Sequence, residues 1–216
     1  MVDKKYILFD LDGTLTDSKV GIVKSIQYSL QEFGINVENA DDFLPFIGPP
    51  LRDSYRKHYG FNDEEIERAA LKFREYFTET GIFENTLFDG VDALLAALQS
   101  AGKQVILATS KPLVHAEIIL KHFEIEKYFS FVAGSELDGS RAKKNEVIEF
   151  ALESMRITDI ENAVMVGDRE HDVIGAQAFG MDCIGVLYGY GSLQELTDAG
   201  AACIAKNIDE LGKLII

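Results

Sequence analysis

A chain of 216 residues with 47% hydrophobic content is long enough for one substantial core, or for a core with a smaller appended domain. Its formal charge of −15 argues against a nucleic-acid polymer or an anionic membrane as partner, because either would need a basic face. The start, "MVDKKYILFD", has too short an apolar run for a signal peptide, and no later stretch approaches a membrane span, so the expected setting is the cytoplasm.

In chain order, residues 5–9 read as a short core strand that ends abruptly at Asp10 and Asp12. From 17 to 85 the apolar spacing is helical: Ile22, Ile26 and Leu30 stand four apart, and Ile66, Ala70, Phe73 and Phe77 recur at three to four. Gly34, Gly60 and Gly81 stand where C-caps would close these helices. Beyond residue 86 short apolar runs at 104–109, 131–134, 163–168 and 183–188 predict strands, and 91–101, 113–123, 144–155, 170–179 and 192–199 predict helices. That alternation predicts an α/β fold, a parallel sheet with helices on both faces, interrupted by an all-helical insert. Cys183 and Cys203 lie in apolar surroundings without CxxC or Cys/His spacing and read as reduced core thiols.

Ligands of open parallel sheets bind beyond the carboxyl ends of the strands, and three predicted strands end in polar groups there. The first ends at Asp10, the second at Thr109 followed by Ser110, and the third at Asp168. An Asp-Gly hairpin turn is the alternative for "DLDGT", but it needs a second strand where Gly21 to Phe33 is periodic as a helix. In "GDREHD", Asp168 and Asp172 are four apart, so both fall on one face of a helix, or Asp168 is an N-cap with Asp172 a favourable charge in the first turn. Beside Asp10 and Asp12 such a group of carboxylates calls for a hard divalent cation, and magnesium suits it. Thr109 and Ser110 suit phosphate oxygens or cap the next helix. Lys143 and Lys144 form a basic pair just before a helix, a solvated surface or a cation with another use.

Together "DLDGTLTDS", "ATSK", the lysine before a helix and "VGDREHD" resemble the four ordered motifs of the haloacid dehalogenase superfamily. "GPPLRDS" and "IGVLYGYGS" further resemble its phosphoglycolate phosphatase-like branch, which includes proteins called 5'-nucleotidases. The resemblance implies a Rossmann-like core, residues 1–16 and 86–216, with a helical cap over 17–85. It implies Asp10 as the nucleophile that becomes an aspartyl-phosphate, and Asp12 as general acid and then base. Thr109 and the Ser110 backbone would hold the phosphoryl oxygens, and Lys144, or Lys143, would neutralise them. Magnesium would be held by Asp10, the backbone carbonyl of Asp12 and Asp168, with Asp172 holding a metal-bound water.

The expected activity is magnesium-dependent hydrolysis of a small phosphorylated metabolite by a monomer or weak dimer. A phosphomutase built on the same motifs and a non-catalytic phospho-sensing module are the alternatives. For substrate choice the insert offers Arg52 in "GPPLRDS", aimed inward at a second substrate anion or paired in solvent with Asp53 or Asp63.

Overall fold

The computed structural model describes residues 4–216. Among the described residues, strands β1 (Tyr6–Phe9), β4 (Gln104–Pro112), β5 (Phe129–Ser135), β6 (Ala163–Gly167), β7 (Asp182–Val186) and β8 (Cys203–Ala205) form one sheet, in the order β5-β4-β1-β6-β7-β8. Every neighbouring pair is parallel. Successive residues of β1 turn to opposite faces: Ile7 and Phe9 join one apolar cluster with Leu107 and Val166, while Leu8 joins the other with Ile106 and Met165. Both faces are covered, which is why these strands read as continuous apolar runs. The chain leaves β1 for β4 on one side and later returns to β6 on the other, so the strand order reverses at β1, where ligands collect in open sheets.

Helices α4 (Val91–Ser100), α5 (Leu113–His122), α6 (Lys144–Ser154), α7 (Glu170–Gln177), α8 (Leu193–Ala199) and α9 (Ile208–Ile215) surround the sheet. The terminal β8 and α9 are absent from the sequence expectation, because a three-residue strand is too short for alternation to show. No described helix is long and apolar enough to cross a membrane.

Between Thr16 and Leu87 lie α1 (Lys19–Gln31), a 3-10 helix (Ala40–Phe46), α2 (Leu51–Tyr59), α3 (Asp63–Glu79) and a second 3-10 turn (Gly81–Phe83). Asn62 sets the start of α3: its side chain accepts from the Glu65 N–H at 3.0 Å, and the Glu65 carboxylate accepts from the Asn62 N–H at 2.9 Å, which satisfies two donors at the helix end. The α3 face built from Ile66, Ala70, Phe73 and Phe77 is buried as the spacing demands; truncating one such phenylalanine to alanine costs about 3–5 kcal/mol. Gly60 closes α2 at a left-handed φ of 67°. Gly81 is not a C-cap: α3 ends at Glu79 with Thr80 as its C-cap, and Gly81 is where the chain crosses α1, a Cβ on Gly21 falling 1.9 Å from the Gly81 carbonyl oxygen.

The insert joins the sheet through an antiparallel ribbon that the sequence does not announce, β2 (Thr16–Asp17) paired with β3 (Thr86–Leu87). Two-residue strands carry no periodicity. They place both crossings directly behind the loop that follows β1.

Candidate active site

Asp10 is the first residue beyond β1, tied to the neighbouring strand by its N–H, which donates to the Val166 carbonyl at 3.0 Å. The chain then turns tightly, with the N–H groups of Leu15 and Thr16 both donating to the Leu11 carbonyl, at 2.9 and 3.0 Å. Gly13 takes a φ of 85° inside this turn, and a Cβ there would fall 2.3 Å from Asp168 Oδ2. The "DGT" element is therefore a close approach of backbone to a carboxylate, which only glycine permits.

Asp168 follows β6 and is fully buried. It is not a helix cap: the N-cap of α7 is Arg169, whose N–H donates to Asp172 Oδ2 at 3.1 Å. Asp168 is instead held by the Thr14 hydroxyl at 3.2 Å and the Tyr190 N–H at 2.8 Å. Asp10, Asp168 and Asp172 each present a carboxylate oxygen within 4.8 Å of the others.

Lys144, not Lys143, enters this group. It is the first residue of α6 and buried, whereas Lys143 is the exposed N-cap. Its Nζ lies 2.8 Å from Asp10 Oδ1 and 2.9 Å from Asp172 Oδ1, and donates to the Ala108 carbonyl at 2.9 Å. Glycine at 175 makes room for its stem, since a Cβ there would meet Lys144 Cγ at 2.8 Å. Burial opposes the charge on Lys144, but Asp10 and Asp172 outweigh it and hold the ammonium protonated. Burial pushes the Asp10 carboxyl up to about 6 despite Lys144, with Asp172 and Asp12 adding to the rise. Asp168 is raised well above the usual carboxylate range by burial and then by Asp172 and Asp10.

The Asp12 side chain engages a different cation, one that sequence reasoning missed. Lys111 Nζ donates to Asp12 Oδ2 at 2.7 Å and Oδ1 at 3.0 Å, and lies 4.8 Å above the Phe77 ring of α3. The signal was present in the last letter of "ATSK". Beside it His115 packs on Phe77 with centroids 5.2 Å apart; burial, then Lys111 and Arg74, push its imidazole down to about 4 and keep it neutral.

Thr109 and Ser110 do not end their strand. β4 runs on to Pro112, with an irregular register against β5 after Ala108, and such a bulge re-aims the side chains beyond it. Nor do they cap α5, whose N-cap is Pro112. Thr109 Oγ1 accepts from the Lys111 N–H at 3.3 Å, and the Ser110 carbonyl accepts from Ser135 Oγ at 2.8 Å. Both residues line a cavity of about 600 Å³ with Asp10, Asp12, Lys111 and Arg52.

Arg52 therefore does face the cavity wall, but its partner is neither Asp53 nor Asp63. Its Nε donates to Glu67 Oε1 at 2.6 Å and its Nη2 to Glu67 Oε2 at 2.9 Å, while Arg56 is the residue that pairs with Asp53 and Asp63.

The donor set fits a hard divalent cation. Asp10 Oδ1 and Asp172 Oδ1 are buried and take no hydrogen bond, meeting only the Lys144 ammonium as an ion pair. Burial first, and then the neighbouring carboxylates, raise Asp10 and Asp168, and a cation among them would favour their ionised forms. All-oxygen ligands at such a site suit magnesium.

The family model for haloacid dehalogenase-like hydrolases matches residues 7–186. A protein named 5'-nucleotidase from Pseudomonas aeruginosa is 45% identical over 190 residues, covering 88% of this chain and 86% of its own. The tyrosine-protein kinase PtkA of Mycobacterium tuberculosis is 42% identical over 207 residues, covering 95% of this chain and 70% of its own. The crystal structure of a "predicted phosphatase" from Clostridium acetobutylicum superposes with a TM-score of 0.96 at 47% identity, covering 98% of this chain and 97% of that one.

Proposed function

From its place in the haloacid dehalogenase-like hydrolase family, to which this chain belongs as a phosphoric monoester hydrolase, we propose that it hydrolyses a small phosphomonoester, of the phosphoglycolate or nucleoside monophosphate type, with magnesium and through an aspartyl-phosphate on Asp10. The observation that carries this reading is the buried group of Asp10, Asp168 and Asp172 around Lys144, at the point where the strand order reverses. The phospho-sensing alternative gives way to an enzyme.

Asp10 Oδ attacks phosphorus, and the bond from phosphorus to the ester oxygen breaks. Asp12 gives its proton to the departing oxygen, then takes one from the water that attacks the aspartyl-phosphate and releases inorganic phosphate. Lys144, the Thr109 hydroxyl and the Ser110 N–H hold the phosphoryl oxygens as charge develops on them. Asp10, the Asp12 main-chain carbonyl and Asp168 would hold magnesium, with Asp172 reaching it through water. The cation, when bound, supplies neutralisation of a dianionic phosphate beside several carboxylates. Residues 17–85 act as a cap whose side chains, Arg52 and its partner Glu67 among them, line the cavity.

A turnover screen of phosphoglycolate, nucleoside monophosphates, sugar phosphates and pyrophosphate, with magnesium and with EDTA, tests the reading. Phosphate released from one monophosphate without a bisphosphate activator supports hydrolysis; a requirement for the activator identifies a phosphomutase. Full turnover in metal-free buffer would sink the magnesium assignment.

A further inference from the structure

The fork of a guanidinium recognises carboxylates and phosphates through two parallel N–H donors. In Arg52 that edge, Nε with Nη2, is already filled by both oxygens of Glu67. The remaining donor nitrogen, Nη1, sits against Gly139, where a Cβ would fall 2.9 Å from it. Glu67 is a cavity-lining residue itself.

The other guanidiniums on this wall are likewise committed. Arg74 donates from Nε to the Ala70 carbonyl at 3.1 Å and from Nη1 to the Leu137 carbonyl at 3.2 Å. Arg56 pairs with Asp63, and Arg141 with Glu136. The guanidiniums of the cavity are thus occupied, and among the described residues the lining ammonium without an ion pair is that of Lys143, the exposed N-cap of α6. The cavity's remaining α3 wall is the apolar face of Ile66, Ala70, Phe73 and Phe77. A second anion on the substrate would meet the Glu67 carboxylate before it met an open guanidinium, whereas an uncharged leaving group could give Glu67 an O–H or N–H to accept and lay its carbon surface on α3. Volume points the same way: about 600 Å³ is far more than a two-carbon acid needs.

We infer that Glu67 is a specificity-determining residue, filling the fork of Arg52 so that the site takes phosphomonoesters with an uncharged leaving group and discriminates against those carrying a second anion. The inference rests on the hydrolase reading above and chooses within it. Discrimination of this kind comes from a repulsive element as much as from an attractive one.

Two matched pairs of esters test it: phosphoglycolate against 2-hydroxyethyl phosphate, and 4-carboxyphenyl phosphate against p-nitrophenyl phosphate. Each pair exchanges an anionic group for a neutral one of similar size, at two distances from phosphorus. In Glu67→Gln the kcat/KM ratio of the anionic to the neutral member should rise about ten-fold in at least one pair. Glu67→Asp, which keeps the charge, should leave both ratios near wild type. A Glu67→Gln protein in which neither ratio moves by more than about two-fold overturns the role of Glu67, as does an equal rise in Glu67→Asp. If the wild-type protein turns over none of the four esters, the hydrolase reading itself fails. The substitution is at a half-exposed ion pair, so folding should persist, and an unchanged melting temperature checks that.

Discussion

Lys111 Nζ lies 2.7 Å from Asp12 Oδ2, across 99 residues of sequence, and the same ammonium rests on the Phe77 ring of α3. One side chain of β4 thereby connects the insert to the carboxylate assigned the proton transfers. If Lys111 acts by orienting Asp12, Lys111→Met should lower kcat/KM by about 10–100-fold on alkyl monophosphates, which need a proton at the departing oxygen, and much less on p-nitrophenyl phosphate. Lys111→Arg should recover part of the loss. An equal loss on both substrates would instead place Lys111 among the groups that bind phosphate.

Asp10 and Asp12 should fail differently. Asp10→Asn removes the nucleophile, so turnover should fall by about 10⁴-fold or more on every ester. Asp12→Asn should keep slow attack on esters with good leaving groups. Measuring both variants on p-nitrophenyl phosphate and on an alkyl monophosphate decides it, and parallel loss counts against the division of roles.

The acid cluster makes metal-free stability depend on pH with a defined sign. The Asp10 carboxyl is raised from 3.8 to about 6 in the folded protein, by burial first, and Asp168 is raised in the same direction. A raised carboxyl means the folded state binds the proton more tightly. Its contribution is therefore full below pH 3.8 and lost as pH rises through about 6. Magnesium would restore at neutral pH what ionisation removes. Thermal melts should show a magnesium-induced rise of about 5 °C at pH 7.5 and a smaller one at pH 5. Equal shifts at both pH values would detach the cation from this cluster.

Gly13→Ala should remove activity out of proportion to stability. The added Cβ would lie 2.3 Å from Asp168 Oδ2 at a φ of 85°, a conformation that costs alanine about 1–2 kcal/mol, and relief requires the Asp168 carboxylate to move. Turnover should drop by about 100-fold or more, while circular dichroism stays that of the folded chain. A fully active variant would show that Asp168 need not sit where it does.

The sequence by itself determined what is local or periodic. The continuous apolar runs of strands buried on both faces, the helical spacing of Ile66, Ala70, Phe73 and Phe77, and the "DLDGT" turn all express local backbone geometry, which the chain carries wherever it is placed. Those signals sufficed for the α/β class, for the helical segment after β1, and for Asp10, Asp12, Asp168, Asp172, Thr109 and Ser110 as candidates. Only the tertiary structure decided which charge faces which. Lys144 rather than Lys143 enters the cluster because it is the first residue of α6 and passes α7 at Gly175. Asp168 is released from capping because Arg169 is the N-cap of α7. Lys111 reaches Asp12, and Glu67 fills Arg52, through contacts between elements that no periodicity relates. A side chain's partner depends on where packing brings distant segments, and for long charged side chains several partners are sterically open until the fold removes all but one.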